Sequence, residues 1–493
     1  MTTQKTIYLL FIALLFAPLA QYHLELFPET ELNGHFEKSE VKIPELKKIS
    51  LNKLRNHSFQ NEIEQGWKEN LGLKNWLIKS NNQINYSLLN YTDAHAIIGK
   101  EKVMFSEYYI KSHFGEDFIG DSSMQVFVEK LKFIQDTLAN LNKFFMVLIA
   151  PGKTALQPEY IPDRYEKFYG IGRTNYESFI EFADAQNIRV FDARNYLINT
   201  KNQHQFPLFP KNGVHWSGYA VAQVSDTLVS FIKNYSSYPM PEIQLTEGKI
   251  TVEEYRYTDY DIGEAMNLLC FASEEELYYP VLNFQNPPKN KPRILGVGDS
   301  FIQSFFGFYP IFDSCFAKEG SMLWYYNKQL GWPIEHTNGS IKADWMDLEL
   351  EIARKEIILL EMTDENLRKV GYGFVDRLYE FFLGNEEVTE NSRVLFEKLK
   401  SDPAIIKQAE QIYHEVGYTK EEMIASLAKN RLRNKWLIDY DYDKLVDLAI
   451  QSIQADEKWL QQVKEKSIRK SIPLEQAIRE DAIWVVNNNL GLN

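Results

Sequence analysis

The strongest constraint on this chain is a series of short, unbroken apolar runs separated by helical patterns. The runs occupy residues 144–150 (FFMVLIA), 189–191, 293–297 (RILGV) and 356–360 (EIILL). A half-exposed strand alternates polar and apolar residues, so runs without alternation imply strands covered on both faces, which in turn requires crossover helices. The expectation is an α/β domain with a largely parallel sheet over residues 94–385. Beyond it, residues 386–493 carry helical periodicity and no strand signal. An offset of 54 there superposes Asp402 on Asp456, Gln408 on Gln462, Glu421 on Glu475, Ile424 on Ile478 and Ala428 on Ala482. Each copy reads as a helix, a break and a second helix, and two such units stacked would cover each other's apolar stripes.

The N-terminus adds a second constraint. Lys5 precedes a charge-free apolar stretch over residues 6–20, which has the charge order of an export signal. Pro18 stands at a position where a cleavage site wants a small residue, so residues 1–24 read as an uncleaved anchor, with a cleaved and secreted form as the alternative. Residues 25–93 follow as a Lys/Glu-rich stalk leading into a helix near 62–82. The remainder would then sit outside the cytoplasm, in a periplasm, held to the inner membrane by its N-terminal segment. A balance of 54 Lys+Arg against 68 Asp+Glu, a formal charge of -14, argues against a nucleic-acid partner, because nothing offsets phosphate repulsion. Two cysteines, Cys270 and Cys315, exclude a disulfide scaffold and zinc ribbons, and no metal or cofactor is expected.

Gly-Asp-Ser occurs twice. At Gly120-Asp121-Ser122 a polar stretch leads into an amphipathic helix, and the tripeptide reads as a helix N-cap. At Gly298-Asp299-Ser300 an apolar strand leads straight into the motif and Phe301 begins a new element. A serine at a strand-to-helix turn presents its hydroxyl at the sheet edge beside free backbone N–H groups, which makes Ser300 the candidate nucleophile; a simple helix cap is the bland alternative. Ser300 and Phe301 would supply oxyanion donors. Of nine histidines, His23, His35 and His57 fall in the stalk and His414 in the helical tail. His95, His113 and His336 lack a supporting pattern, and His204 is the rival base. His215 stands beside Trp216 in a loop that opens a helix at Gly218, a setting that fixes an imidazole for general-base work.

At this point the chain resembles the alginate O-acetyltransferase-like family of SGNH hydrolase-like domains. The resembling pieces are residues 18–21 (PLAQ), Gly99-Lys100 leading to Phe105, Tyr109 and Ile110, Ala150-Pro151-Gly152-Lys153 with Pro158-Glu159 downstream, the His215-Trp216 pair, and Gly298-Asp299-Ser300-Phe301. The resemblance implies a three-layer SGNH-like fold with an N-terminal anchor, to which this chain adds an all-α tail. It implies an O-acyltransferase that takes an acetyl group onto its serine and passes it to a hydroxyl of an exopolysaccharide; an SGNH-type carbohydrate esterase that uses water in the second step is the alternative. It also implies a membrane-bound O-acyltransferase partner as acyl donor.

One departure stands out. The family pattern places an aspartate two residues before the histidine, where it orients the ring; here that residue is Gly213. Loss of the orienting acid costs a serine triad about 10⁴ in turnover. A Ser-His dyad, an acid from elsewhere, or a non-catalytic docking scaffold are the three ways out. Glu361, with Asp364 and Glu365 nearby, is the preferred substitute because strand ends gather at the active edge of a parallel sheet. Lys153 and Trp216 are expected to contact sugar, as is Tyr325, while Asn327 would donate to the oxyanion. Residues 257–263 superficially resemble a metal loop but lack its remaining oxygen ligands, and are expected to be a turn.

Overall fold

The computed structural model describes residues 3–33, 58–94, 96–270, 275–333, 341–384, 386–433, 442–470 and 472–490. His35, His57, His95 and His336 lie outside the described residues, as do the side chain of His414 and much of the stalk.

The ten described strands are β1 (Ala96–Ile98), β2 (Met104–Ser106), β3 (Phe144–Ala150), β4 (Val190–Asp192), β5 (Glu242–Thr251), β6 (Leu277–Gln285), β7 (Ile294–Gly298), β8 (Met322–Tyr325), β9 (Gln329–Leu330) and β10 (Ile357–Thr363). Six of them form the central sheet in the order β4-β3-β10-β7-β8-β9, with every pair parallel except β8 and β9. The last strand in sequence, β10, inserts between β3 and β7 at the centre of the sheet. All seven residues of β3, all five of β7 and all seven of β10 are buried. That is why these strands read as unbroken apolar runs. The sequence runs are recovered within a few residues, whereas β8 and β9 lie in the aromatic stretch that carried no clear strand signal.

Helices cover both faces. On one, Asp121–Asn140 buries Met124, Phe127, Val128, Leu131, Ile134 and Leu138, a three-and-four spacing that turns one stripe onto the sheet. Each such side chain contributes about 1.5–3 kcal/mol by leaving water. On the other, Gly218–Tyr235 packs with Trp216, Phe301 and Phe305. Two antiparallel pairs stand apart from the sheet, β1 with β2 and the long hairpin β5 with β6.

The tail is helical as expected, but with three helices per unit instead of two. Glu386–Lys400, Pro403–Val416 and Lys420–Arg433 are followed by Tyr442–Ala455, Glu457–Lys470 and Leu474–Leu490. Equivalent positions behave alike: Ile424 and Ile478 are buried, as are Ala428 and Ala482, and Asp402 and Asp456 both cap helix starts. The first unit docks on the α/β domain. Asn430 Nδ2 donates to Asp344 O at 2.9 Å and Met346 O at 2.6 Å, and the Tyr418 hydroxyl bonds to Glu351, which is paired with buried Lys355. Near the N-terminus, the helix Thr3–Leu24 includes a stretch, Gln4–Leu24, that is long and apolar enough to cross a membrane. The helix expected near 62–82 is two helices, Ser58–Asn70 and Lys74–Ile84.

Candidate active site

β7 ends at Gly298, and the chain turns sharply through Asp299 and Ser300 before the short helix Ser304–Gly307. The turn is held from beneath. Asp299 is fully buried, and its Oδ2 accepts bonds from Thr363 N at 3.1 Å, Thr363 Oγ1 at 2.8 Å, Asn366 Nδ2 at 2.6 Å and the Tyr372 hydroxyl at 3.0 Å. Its Oδ1 accepts the Phe301 N–H at 2.9 Å. Thr363 ends β10, so the central strand carries the groups that fix the serine turn, and Ser300 is left partly exposed at the sheet edge.

The second element is the loop before Gly218–Tyr235. Ser217 caps that helix through Ala220 N, at 3.2 Å, and donates its hydroxyl to Pro207 O at 2.6 Å. Just upstream, His215 is buried to 8% exposure, its ring 4.8 Å from that of Phe301. His215 Nε2 lies 2.7 Å from Ser300 Oγ and Nδ1 lies 2.6 Å from Asp261 Oδ2. Three groups from three separate elements thus form one hydrogen-bonded line. A carboxylate on Nδ1 fixes the tautomer that leaves Nε2 free to accept the serine proton.

Asp261 is the residue that sequence reasoning missed. Residues 257–260 are a turn, as expected, but from 261 the chain enters the short helix Asp261–Ala265, whose first residue presents its carboxylate to the histidine. Asp261 Oδ1 also accepts Val214 N at 2.8 Å, so the acid grips the histidine loop by backbone as well as ring. Gly263 N adds a bond to Asn212 O at 3.0 Å. The same turn explains Gly213. A Cβ there would sit 2.7 Å from Pro210 Cγ and 2.9 Å from Thr258 O, so the loop bringing Asp261 fills the space that a side chain at 213 needs. An acid delivered from one element excludes an acid at the other. The readable signal was an aspartate pair in the stretch between the His-Trp and Gly-Asp-Ser motifs; what was not readable was which strand end it would face.

The structure corrects several other expectations. Glu361 does not reach His215: it is fully buried under the serine turn, its Oε2 accepting Asp299 N at 2.9 Å. Burial, with the neighbouring Asp299, raises its carboxyl well above the usual range, which disfavours a charge there. Asp364 is engaged with Arg194 at 2.9 Å and Gly152 N at 2.7 Å. Burial, with Asp299 and Asp364 beside it, raises Glu365 to about 8. Phe301 N–H cannot serve an oxyanion because Asp299 already takes it. Ser300 N–H, by contrast, makes no hydrogen bond among the described residues. Tyr326 N bonds to Gly298 O at 2.8 Å, which lays the turn carrying Asn327 alongside the serine turn, and Asn327 Oδ1 is buried without a partner.

Lys153 is not a surface group for sugar. It is fully buried and donates to Pro210 O at 2.6 Å, Lys211 O at 2.9 Å and Gly213 O at 2.9 Å, tying down three carbonyls of the loop that carries His215. Burial lowers its pKa to about 7 against the opposing pull of Glu275 and Asp261, yet three carbonyls match the three N–H bonds of an ammonium. Trp216 is likewise fully buried, packed on Phe301 and Phe305, and supports the loop without meeting solvent. Tyr325 remains half-buried at the end of β8, its ring against Tyr326 at 4.3 Å. His204, the rival base, bonds instead to Tyr219 and Thr200.

A nucleophile, a ring and an acid at the C-terminal edge of a parallel sheet define the class: an SGNH-type acyltransferase or esterase domain. Residues 99–311 match the family described as SGNH hydrolase-like domain, acetyltransferase AlgX, a span that holds His215, Asp261 and Ser300. Over this span the chain is similar to that family, which supports an alginate O-acetyltransferase-like domain. Among solved structures it is similar to the O-acetyltransferase domain of Pseudomonas putida AlgJ, with 12% identity over 58% of this chain and 99% of that one, TM-score 0.37. Pseudomonas aeruginosa AlgX gives 13% identity over 58% and 67%, TM-score 0.38, and Bacillus cereus PatB1 gives 13% over 50% and 91%, TM-score 0.33. No curated protein matches the chain in sequence. The family match carries the assignment.

Proposed function

We propose that this protein transfers an acetyl group through a Ser300 acyl-enzyme to a hydroxyl of a polysaccharide. The observation that carries the reading is the His215 ring held between Ser300 Oγ at 2.7 Å and Asp261 Oδ2 at 2.6 Å. In the first half-reaction Ser300 Oγ attacks the acyl carbonyl while Nε2 takes the hydroxyl proton, and Asp261 stabilises the imidazolium. The oxyanion is met by Ser300 N–H and the Asn327 side-chain N–H. Collapse expels the donor's leaving group, which receives the proton from Nε2. In the second half Nε2 deprotonates the acceptor hydroxyl, the sugar oxygen attacks the acyl-enzyme, and the proton returns to Ser300. Tyr325, at the rim, is the candidate for sugar contact.

The apolar Gln4–Leu24 helix supports a periplasmic placement with the domain anchored beside the inner membrane, where a membrane-bound O-acyltransferase would supply the acyl group. The test combines covalent labelling and transfer. A serine-directed phosphonate should modify Ser300, as seen by peptide mass spectrometry, and fail to do so in His215→Ala. Acetyl transfer from p-nitrophenyl acetate to an oligosaccharide should vanish in Ser300→Ala; transfer that survives this change sinks the proposal.

A further inference from the structure

The helix Lys74–Ile84 and the turn that continues it through Leu89 are built inside out. Three of their polar residues bond to the protein: Asn75 Nδ2 donates to Thr30 O at 2.6 Å, Asn82 Nδ2 to Met266 O at 2.8 Å, and Gln83 Oε1 accepts Cys270 N at 3.1 Å. Tyr86 is buried, but the aliphatic residues Leu77, Ile84 and Leu88 face out, exposed to 46%, 55% and 75%. Leu77 and Ile84, at i and i+7, fall on one face of the α-helix, and exposed Leu88, Leu89 and Tyr91 continue the apolar surface past its C-terminal end through the π-helical turn Asn85–Leu89. A helix resting on its own domain in water has the opposite arrangement.

What covers this surface is indicated by its neighbours. The helix is tied to the segment that leaves the apolar N-terminal helix: Trp76 Nε1 donates to Pro28 O at 3.2 Å and Lys79 Nζ to Thr30 Oγ1 at 3.1 Å. At Gly72, just before the helix, the chain runs so close to the apolar helix that a Cβ would lie 2.5 Å from Pro18 O. The surface therefore begins where the apolar span ends. Charge agrees with this: in a chain of net charge -14, residues 74–91 (KNWLIKSNNQINYSLLNY) hold two lysines and no acid. Exposed Trp76 and Tyr91 are the residue types that favour a headgroup layer.

We propose that the outward face of residues 74–91 lies in the headgroup boundary of the membrane that the N-terminal helix enters, as an interfacial segment on anionic lipid. The proposal rests on the anchor reading above. Its consequence reaches the site, because the same helix is bonded to Met266 and Cys270, and Asn33 to Asn267, in the stretch that continues from Asp261. Lipid contact would thus fix the orientation of the histidine side of the site to the bilayer.

The test uses the full chain in vesicles of phosphatidylethanolamine and phosphatidylglycerol. Exposed Cys270 is replaced by Ser, Cys315 being buried, and single cysteines carrying a solvatochromic dye are placed by Leu88→Cys, Leu77→Cys, Leu14→Cys and Ile468→Cys. With headgroup-level nitroxide lipids as quenchers, the labels at 77 and 88 should be quenched roughly threefold or more beyond the label at 468, as for an interfacial helix. Quenching at 14 by acyl-chain nitroxide lipids, which reach the middle of the Gln4–Leu24 span, with none at 77 or 88 by the headgroup-level lipids overturns the interfacial segment and leaves the anchor standing. No quenching at any of the four positions overturns both.

Discussion

The two halves of the candidate site are built on opposite plans. The serine turn grows directly from β7 and is held by its neighbour in the sheet, β10, through Asp299 and Glu361, both fully buried. The histidine loop is held by side chains from remote parts of the chain: Lys153 beyond β3, Asp261 between the hairpin strands, and Glu275, which accepts Lys211 N at 2.6 Å. Rigidity on the serine side comes from regular secondary structure. On the histidine side it comes from polar bonds that reach across sequence, and there the functional acid can move from one element to another while the geometry at the ring is kept.

The largest expected effect follows from that mobility. Asp261→Asn removes the charge that orients His215 and offers the ring an amide that can stabilise the wrong tautomer. Turnover should fall by about 10⁴ with KM little changed, as expected of a group that acts in the transition state. Adding Gly213→Asp to this variant should restore nothing, since the 257–261 turn occupies the space for that side chain. Recovery of turnover in the double variant would show that the two acid positions are interchangeable and erase the distinction between the halves.

Next is Lys153→Met, which keeps the length of the buried stem and removes all three donors. Three carbonyls of the histidine loop lose their partner, and each unpaired buried acceptor costs about 1–3 kcal/mol, so a lower Tm is expected even after the relief of desolvating the ammonium. Turnover should drop by roughly 10–100-fold through loss of ring placement. Nucleophile labelling by a small, highly reactive phosphonate should drop less. An unchanged turnover would show that the loop is held without the lysine.

These cases mark what was legible in the sequence. Parallel strands announce themselves because burial on both faces removes polar residues, so β3, β7 and β10 and the serine turn at the end of β7 could be read. Two Gly-Asp-Ser copies were separable on the same ground: Asp121 is half exposed and bound to Arg173, while Asp299 is sealed beneath the sheet edge; the first copy does start a helix, but Gly120 holds the cap position and no side chain caps it. The histidine that faces Ser300 was readable from its place at a helix start. The acid was not, because nothing local distinguishes an aspartate that meets a histidine from one that closes a turn. Burial of Lys153 and Trp216 was equally hidden, since their partners lie about 60 and 85 residues away along the chain. β8 escaped because its aromatic residues suit strand and core alike, and β9 because two residues, Gln329 and Leu330, are too few to show a period.

A smaller effect should appear in stability against pH. Burial pushes Asp259, which anchors the acid turn to Tyr279 at 2.6 Å and Gly218 N at 3.3 Å, from 3.8 up to about 8. The folded state then favours the neutral acid, so the contribution to stability is whole below pH 3.8 and is lost as pH rises toward about 8. Asp259→Asn keeps a carbonyl acceptor for the Tyr279 hydroxyl and cannot ionise. Its Tm should therefore fall less between pH 5 and pH 8 than that of the parent, a flattening checked by calorimetry across that range.

The smallest effect on turnover is expected from Glu361→Gln, and it discriminates best between the halves. Asp261 touches the His215 ring and Glu361 does not: burial beneath the turn and the facing Asp299 raise the Glu361 carboxyl well above its ordinary range, and its Oε2 accepts Asp299 N. A glutamine supplies the same oxygen. Turnover should stay within about threefold of the parent, because the acid in contact with the imidazole is unchanged. Stability should change in a defined direction. A carboxyl raised in the folded state loses stability as pH rises above its unfolded value, so the glutamine variant should resist alkaline pH better than the parent. If Glu361→Gln cut turnover as deeply as Asp261→Asn, the serine side would hold an electrostatic partner of the reaction after all, and the division between a buried scaffold under the nucleophile and a charged acid behind the base would fail.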